Sequence, residues 1–437
     1  MNYFKIIKCI QKYTFFILSI YILYLKENET NISRVKKHAI LCGPLAIKLL
    51  QFILMRNYIS AKFDLFLEDC PTHSFEKTKE LYLKDFGRHI DFDFTIDSKI
   101  PIGSGSIGQV YKVYDHVLDV HFALKSKHPG IDEEMGNFVK AIKIILFIFR
   151  ISWRSVIIEF VDNINTQLDY TNEANNTILL KEKFKDDDVI VIPTIYTFSK
   201  NFIIMEYIEG ESFNKSDNQV LYSLYITFIF MMSVLCYDFL HGDLHYGNWK
   251  ITKENKIVIY DSAIIYSSND YTFNKNIIYY VLNGNYEKLL CFIDNSQSKK
   301  IKKTMDYLNK IFKLKNITAG EKISLFLKKS IENKLFTNKY LINLLNCICI
   351  IGDTQKISVN IFTKYILTPG DSNAVRVYTY IDILNKIKKF KNLKIFFEKW
   401  MSEDPENKIV HNQWLMDNFG HTDSVIISDI ICEKLNV

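Results

Sequence analysis

Apolar and polar residues follow one pattern up to about residue 60 and another from residue 99. The first 60 residues repeat apolar positions at helical spacing, in YTFFILSIYILYL and, after the polar break KENETNIS, in RVKKHAILCGPLAIKLLQFILMRNYI. The later segments GQVYKVYD and VHFALKSK carry β-branched and aromatic residues on either side of a turn. The pattern therefore predicts helices first and then a pair of antiparallel strands.

After residue 130 the pattern predicts helices, a short return to strands and a second helical region. Helical spacing runs from Gly130 to about Asp186, and VIVIPTIYTF and NFIIMEYI follow as strand candidates. Residues 216 to 240 are predicted as one apolar helix, KIVIYD as a strand, and nearly everything after residue 270 as helix. This order favours an α+β fold with a strand-rich small lobe followed by a helical large lobe.

The composition narrows the class of protein. Hydrophobic residues make up 48% of the chain and charged residues 24%, which excludes a largely disordered chain and a multi-span membrane protein. The net charge of +6 is not gathered into a basic run with interleaved aromatic residues, so we expect no nucleic-acid partner. The eight cysteines form no CxxC pair, which predicts reduced thiols in an intracellular, reducing compartment.

The N-terminal helix has two interpretations. Lys5, Lys8 and Lys12 precede thirteen largely apolar residues, and Lys26 follows them. The apolar run is shorter than the roughly 18 to 20 residues that span a bilayer, so it suits an anchoring or interfacial helix, or a helix packed on the protein's own core. The basic stretch NKIKKFKNLKIFFEKW near the C-terminus leaves the same choice between a membrane surface and a solvated helix face.

A glycine-rich stretch, IGSGSIGQVYKV, reads GxGxxGxV from Gly103 and leads into a strand. A dinucleotide-binding loop would open a helix, whereas a glycine loop between antiparallel strands can cover phosphates with its backbone amides. Lys125 in FALK follows Val110 by fifteen residues and matches the strand lysine that neutralises phosphate charge in protein kinases. The nucleotide-contacting candidates of the loop are Gly103, Ser104, Gly105, Ser106, Gly108 and Val110.

A second constellation lies in HGDLHYGN and IYDSA. Asn248 follows Asp243 by five residues and Asp261 follows it by eighteen, intervals that resemble HRDxxxxN and DFG of protein kinases. Asp243 can orient or deprotonate an attacking hydroxyl, while Asn248 and Asp261 supply hard oxygen ligands to Mg²⁺. The alternative is a metal hydrolase that uses His241, Asp243 and His245, but it leaves the glycine loop without a purpose.

Together these motifs resemble the UbiB/ABC1 family of atypical kinases, which is linked to ubiquinone biosynthesis, over about residues 30 to 290. PIGSGSIGQVYKV is similar to the family's P-[LI]-[AG]-x-[AG]-S-I-[AG]-Q-V loop, and ALKSKHPGI to its AVKVxxPG strand. QLDYTNEANN is similar to its ExDYxxEAxN helix, HGDLHYGN to its HxDPHPGN loop, and GPLAIKLLQ to the KxGQ element that lies over the active site.

The resemblance implies a two-lobed protein-kinase-like fold with helical extensions at both ends. Residues 1–30 would form the apolar helix and 31–98 a helical extension with the KxGQ-like element. Residues 99–210 would form the N-lobe with inserted helices, 211–310 the C-lobe, and 311–437 a helical C-terminal region.

The resemblance also assigns a carboxylate partner to Lys125. It selects Glu173, on the helix that corresponds to αC of kinases, although Glu173 lies 48 residues beyond the lysine. Spacing alone leaves Glu133, Glu134 and Glu159 open as alternatives, because all three are closer in sequence.

The remaining assignments from the family concern the nucleotide. Lys48 and Gln51 would reach in from the N-terminal extension, and Glu206, in NFIIMEYI, joins the nucleotide-binding candidates. The implied ligands are ATP or ADP with Mg²⁺, and the implied partners are a lipid or small-molecule substrate and a peripheral or anchored membrane contact. The sequence leaves the oligomeric state open.

The chain departs from the family pattern at several positions. Leu50 replaces the glycine of KxGQ, Gln167 the glutamate of ExD, Leu244 and Tyr246 the two prolines of HxDPHPGN, and DSA replaces DFG. These changes keep a nucleotide-binding pseudokinase open as an alternative. HGDLHxGN also occurs in aminoglycoside phosphotransferases and choline kinases, which keeps a small-molecule kinase open. No APE-like motif follows Asp261, so we expect an acceptor other than a protein.

Overall fold

The computed structural model describes most of residues 3–348. Residues 349–437, which contain the basic stretch and most of the predicted C-terminal region, lie outside the described residues. The gaps before residue 348 are 27, 56–71, 149–153, 186, 188, 217–221, 223–225, 227–228, 231–232, 235–238, 268–270, 283–284, 294–295, 297, 315–318, 334 and 336–339.

Five helices form one apolar core at the N-terminal side of the molecule. They are α1 (Tyr3–Leu25), α2 (Glu29–Cys42), α3 (Pro44–Met55), α5 (Ile131–Ile148) and α6 (Arg154–Gln167). The side chains of Tyr13, Phe16, Phe138 and Phe160 are buried in this helical core. The helices inserted after the lysine strand therefore pack on the N-terminal extension, as the core-packing interpretation of α1 predicts for its buried face.

The break between α2 and α3 follows from two residues. Gly43 has a φ of 101°, which an L side chain rarely adopts, and it ends α2. Pro44 then begins α3, at a position where its missing N–H removes no helical hydrogen bond. Within the described part of the chain, no helix combines the length and the apolar character that crossing a bilayer requires.

The small lobe is an antiparallel sheet, as the sequence pattern predicts. Its strands lie in the order β1 (Thr95–Ile96), β3 (Gly108–Asp115), β4 (Val120–Lys127), β7 (Phe202–Glu206) and β6 (Ile195–Phe198), and β2 (Gly103–Ser104) pairs with β3. Helix α4 (Phe75–Phe86) contributes Phe75 and Tyr82 to the core on one face. Helix α7 (Tyr170–Lys183) packs Tyr170 with Ile203 on the other. The sheet is thus covered on both faces.

Two small sheets of the large lobe bring its two motif loops together. Strand β8 (Phe239–His241) pairs with β11 (Ile265–Ser267), while β9 (Trp249–Ile251) pairs with β10 (Ile257–Ile259) and β10 also pairs with β5 (Ile190–Val191). HGDLHYGN connects β8 to β9, and IYDSA lies between β10 and β11. Each loop therefore connects the same two sheets, and the two loops lie side by side.

Helices complete the large lobe: α8 (Tyr271–Leu282), α9 (Tyr286–Ile293), α10 (Ser298–Leu314) and α11 (Ala319–Glu332), with further helix at 340–348. The prediction of a strand-rich small lobe followed by a helical large lobe is confirmed. The predicted helix at 216–240 is wrong at its end, because Phe239 and Leu240 lie in β8. Both side chains are buried, and an unbroken apolar run does not distinguish a buried strand from a helix.

Candidate active site

The site is centred on Lys125, which β4 holds inside the cleft between sheet and helix α7. Its Nζ lies 2.5 Å from Glu173 Oε1 and 3.6 Å from Asp261 Oδ2. The side chain of Glu173 is only 2% exposed and that of Lys125 16%. Asp169 caps α7 by accepting a hydrogen bond of 3.0 Å from the backbone N–H of Thr171, which fixes where the helix begins.

The geometry brings Glu173, and not the glutamates nearer in sequence, to Lys125. Glu133 is exposed on α5. Glu134 faces the α2–α3 junction, where a Cβ placed on Gly43 would lie 3.2 Å from its Oε1. The side chain of Glu159 lies outside the described residues. Spacing could not decide between them, because α5 and α6 carry the chain away from the site before α7 returns to it.

One ammonium is shared by two carboxylates. Burial by itself would lower the pKa of Lys125, but the carboxylates of Asp261 and Glu173 outweigh burial and raise it, so the lysine is charged at neutral pH. Burial would raise the pKa of Asp261, yet Lys125 and the N–H of Ala263, 3.0 Å from Oδ1, hold it well below its usual range. Burial raises the pKa of Glu173 to about 7 despite the neighbouring ammonium. The carboxylate form is therefore favoured much more at Asp261 than at Glu173, and Lys48 contributes less than Lys125 at both.

His241 ties the two motif loops together through backbone bonds. Its Nε2 lies 2.8 Å from the carbonyl oxygen of Asp261 and donates to it, and the N–H of Asp243 donates to Nδ1 over 3.3 Å. Burial lowers the pKa of His241, consistent with this neutral form. Both ring nitrogens are committed, which argues against the metal-hydrolase alternative. Within the described residues, no group of three or more His, Cys, Asp or Glu side chains could hold a metal ion by itself.

The catalytic-loop candidates meet a lysine from the N-terminal extension. Asn248 Nδ2 donates to the carbonyl oxygen of Asp243 over 2.7 Å, which orients the asparagine amide. Lys48 Nζ on α3 lies 3.9 Å from Asp243 Oδ2, and His245 Nε2 lies 3.7 Å from the same oxygen. Gln51 is on α3 as well, but its side chain lies outside the described residues.

The departure from KxGQ at Leu50 has a packing explanation. Leu50 is buried in the helical core formed by α1, α2, α3, α5 and α6. A larger apolar side chain at this position buries more apolar surface than glycine would.

Close packing explains one glycine of the loop. A Cβ on Gly108 would collide with the hydroxyl of Tyr170 and the carbonyl oxygen of Ser126, so only glycine fits there. The N–H of Gly105 donates to the carbonyl oxygen of Gly108 over 2.9 Å and closes the loop tip. Val110 lies directly opposite Lys125 in the β3–β4 ladder, which places both side chains on one face of the sheet.

The residues present fit Mg²⁺ and a nucleotide phosphate chain. The carboxylate of Asp261 and the amide oxygen of Asn248 are ligands that Mg²⁺ accepts beside phosphate oxygens. The hydroxyl of Ser104 is buried and has no hydrogen-bond partner within the described part of the chain, as expected of a group that a phosphate oxygen would satisfy. Lys125 supplies a positive charge 3.6 Å from Asp261 Oδ2.

The structure does not bring the carboxylate of Glu206 to this group. Glu206 ends β7, and its Oε2 accepts hydrogen bonds from the backbone N–H of Thr194 at 3.1 Å and from Thr194 Oγ1 at 2.8 Å. Lys181 Nζ lies 3.8 Å from the same oxygen.

Two residues that the sequence reasoning gave no role also touch the site. Tyr170 is buried with its ring centroid 5.2 Å from Lys125 Nζ, and Asn176 Nδ2 donates to the carbonyl oxygen of Ser262 over 2.8 Å. Tyr170, Glu173 and Asn176 are spaced by three residues and so share one face of α7. That spacing was visible in QLDYTNEANN and was the signal that could have found them.

Comparison with known proteins adds an independent observation. The ABC1 atypical kinase-like domain matches residues 66–291, a little over half of the chain. The probable serine/threonine-protein kinase abkB of Dictyostelium discoideum is 29% identical over 226 residues, covering 47% of this chain and 33% of that protein. The ABC1 family protein MCP2 homolog of Schizosaccharomyces pombe is 29% identical over 235 residues, covering 49% of this chain and 42% of its own. The matched segments thus span less than half the length of these relatives.

Among solved structures, the complex of Rv3197 with erythromycin from Mycobacterium tuberculosis overlaps with 65% of this chain and 83% of its own. The TM-score of this overlap is 0.45 and the sequence identity is 17%.

Proposed function

The chain belongs to the ABC1 family of atypical kinase-like proteins, and from this premise we propose that it binds Mg-ATP and transfers or releases the terminal phosphate. The observation that carries the proposal is the cluster of Lys125, Glu173 and Asp261, which joins the sheet, α7 and the IYDSA loop at one point. Lys125 and Glu173 are largely enclosed, and a charged pair withdrawn from water in this way is costly unless a ligand uses it.

Each side chain has a role that its contacts support. Lys125, held by Glu173, would neutralise phosphate charge, and Asp261 and Asn248 would hold the cation. Mg²⁺ would withdraw charge from the phosphates and stabilise the charge that develops during transfer. Asp243 accepts the proton of the attacking hydroxyl or water. Asn248 holds the backbone of Asp243 in place through the hydrogen bond that its side-chain amide donates to the Asp243 carbonyl oxygen.

We propose a small-molecule or lipid acceptor. Asp261 and the start of α8 at Tyr271 are ten positions apart, and β11 occupies three of the residues between them. This interval is short for the segment on which a protein kinase binds a peptide. Lys48 of α3 lies beside Asp243, which leaves the approach to the aspartate to a compact acceptor.

Contact with a membrane surface is the less direct part of the proposal. The outer face of α1 exposes Ile7 and Phe15 together with Lys8 and Lys12. A helix with apolar and basic residues on its outer face suits an anionic interface, where each basic residue contributes about 1 kcal/mol. An intracellular, reducing compartment is the setting that this proposal assumes.

Phosphate release by the purified chain tests the proposed activity. With Mg-ATP, we expect steady release by the wild type and a loss of about 100-fold or more in Asp243→Asn, with nucleotide affinity kept, because a general base contributes on that order. Nucleotide binding without release would instead support a pseudokinase, and the absence of both would contradict the proposal.

Vesicles added to the same assay test the membrane contact. Phe15→Ser changes an exposed residue of α1 and should abolish any stimulation by anionic vesicles, while neutral vesicles serve as the control. Equal turnover of wild type and variant on both vesicle types would contradict the membrane part alone.

A further inference from the structure

Two histidines lie behind the glycine-rich loop and are joined ring to ring. His73 Nδ1 and His128 Nδ1 are 2.8 Å apart, and His128 Nε2 lies 2.9 Å from the carbonyl oxygen of Gly105 in the loop tip. On the far side, His73 Nε2 lies 2.9 Å from the hydroxyl of Thr78 on α4. This series of hydrogen bonds connects α4 to the glycine loop.

The direction of each bond follows from its ends. A carbonyl oxygen can only accept, so His128 carries a proton on Nε2, and in the neutral ring Nδ1 is then an acceptor. His73 must then donate from Nδ1, and its Nε2 accepts from the hydroxyl of Thr78. Both imidazoles are neutral in this arrangement. Burial lowers the pKa of both histidines, and the pKa of His73 falls to about 4 because a second proton on its ring would also be repelled by Lys77 and by any charge on His128, which agrees with the geometry.

Backbone bonds fix the same two histidines in place. The N–H of His128 donates to the carbonyl oxygen of Ile107 over 2.8 Å, one residue before Gly108. The amide of the buried Gln109 bonds both backbone groups of His73: its Oε1 accepts from the N–H and its Nε2 donates to the carbonyl oxygen, each over 3.0 Å. His128 therefore holds the loop at Gly105 and Ile107, from the side opposite to the one proposed to face the phosphates.

We propose that His128 is a positioning residue that holds the glycine-rich loop in the conformation that covers the phosphates, and that His73 fixes the tautomer His128 needs. The inference rests on the proposed function, since it assumes that the loop covers a nucleotide. His128 directly follows Lys127, the last residue of β4, so the strand that carries Lys125 also fixes the position of the glycine-rich loop relative to that lysine. The loop and the lysine are thereby aligned on one phosphate chain.

The test uses the full chain with Mg²⁺ and compares dissociation constants for ATP and for adenosine, which lacks phosphates. His128→Leu replaces the imidazole with an apolar side chain and so removes both of its hydrogen bonds, whereas His128→Gln keeps a donor and an acceptor. His121→Gln, on the same strand but without contact to the loop, is the control. We expect His128→Leu to weaken ATP binding about tenfold and adenosine binding less than twofold, with His128→Gln and His121→Gln within about threefold of the wild type.

Equal weakening of ATP and adenosine, or unchanged ATP binding in His128→Leu, would overturn the proposal. His73→Leu is the second variant, because it removes only the partner that sets the tautomer, and it should shift ATP binding in the same direction. Amide hydrogen exchange of residues 104–107 without nucleotide should rise in His128→Leu. If the wild type binds no ATP, the proposed function fails. Amide hydrogen exchange then tests the contact between His128 and the loop separately, because unchanged exchange of residues 104–107 in His128→Leu would exclude that contact.

Discussion

At the scale of single residues, the site pairs the ammonium of Lys125 with two carboxylates, those of Glu173 and Asp261. Asp261 is the more exposed carboxylate, with 36% of its side chain accessible, and it is stabilised both by Lys125 and by a backbone N–H. Glu173 is almost fully enclosed, and its carboxylate pairs with the ammonium of Lys125 without a backbone N–H of the kind that stabilises Asp261 in the described part of the chain. The two acids consequently titrate far apart, although they share the same lysine.

This division predicts how stability depends on pH. The pKa of Glu173 is about 7 in the folded chain against an ordinary value of 4.5, so the folded state binds the proton more tightly between these values. The stabilisation that the protonated Glu173 gives the folded state is fully present below pH 4.5 and is lost as the pH rises through 7. The free energy of unfolding of the wild type should therefore fall between pH 5.5 and 7.5 by up to about 1.4 kcal/mol per pH unit more than that of Glu173→Gln.

Urea denaturation at pH 5.5, 6.5 and 7.5 measures this difference. Glu133→Gln, an exposed change on α5, is the matched control and should parallel the wild type. Parallel curves for the wild type and Glu173→Gln would show that Glu173 is ionised throughout and would contradict the assignment.

Motif spacing predicted Lys125, Asp243, Asn248 and Asp261, because short loops between paired strands keep their residues together in space. It could not choose Glu173, since the choice depends on how far two inserted helices carry the chain before α7 begins. It also gave no role to His73 and His128, whose meeting depends on the packing of α4 against the sheet.

At the scale of elements, helix α7 and the glycine loop form one close-packed unit. Tyr170 approaches the backbone of Gly108, Glu173 binds Lys125, and Asn176 binds the carbonyl of Ser262. A shift of α7 would therefore move the glycine loop, the strand that carries Lys125 and the IYDSA segment together. β-Branched and aromatic residues around a turn predicted β3 and β4 well. The end of the apolar run before His241 forms a strand because it pairs with β11, and the sequence pattern missed it because β11 is distant in sequence.

Substitution of Gly108 tests this unit. Gly108→Ala should destabilise the fold by about 1–3 kcal/mol, because its Cβ collides with Tyr170 and Ser126, and should weaken ATP binding. Gly103→Ala is the control for stability alone, since no atom of the described residues lies within 4 Å of its Cβ position. Adding Tyr170→Phe should restore part of the loss but not all, because the Ser126 carbonyl remains. Thermal unfolding and ATP titration give both quantities, and equal stability of the two alanine variants would contradict the packing.

At the scale of the whole molecule, the N-terminal helices are part of the fold that positions the site. Helix α1 packs against α2 and α5, and α3 of the same core delivers Lys48 to Asp243. The apolar character of α1 was visible in the sequence, but its packing was not, because the same pattern suits a lipid interface. The structure gives α1 a buried face and an exposed one.

A pair of neighbouring substitutions separates these faces. Phe16 is fully buried and Phe15 is 60% exposed. Phe16→Ala should cost about 3–5 kcal/mol of unfolding free energy, whereas Phe15→Ala should change it by less than about 0.5 kcal/mol. Chemical denaturation checks both. Similar small effects would mean that α1 does not belong to the core.

A thermal-shift titration of the full chain tests whether Asp261 and Lys125 form a site for Mg-ATP. With ATP and Mg²⁺, the wild type should gain stability, about 2.7 kcal/mol when ATP is at 100 times its Kd. Asp261→Asn should lose most of this gain, because a neutral amide is a poorer ligand for a hard dication than a carboxylate. Without Mg²⁺, the two proteins should differ little in their response to ATP. An Mg-ATP shift in Asp261→Asn equal to that of the wild type, or no shift in either protein, would contradict the account.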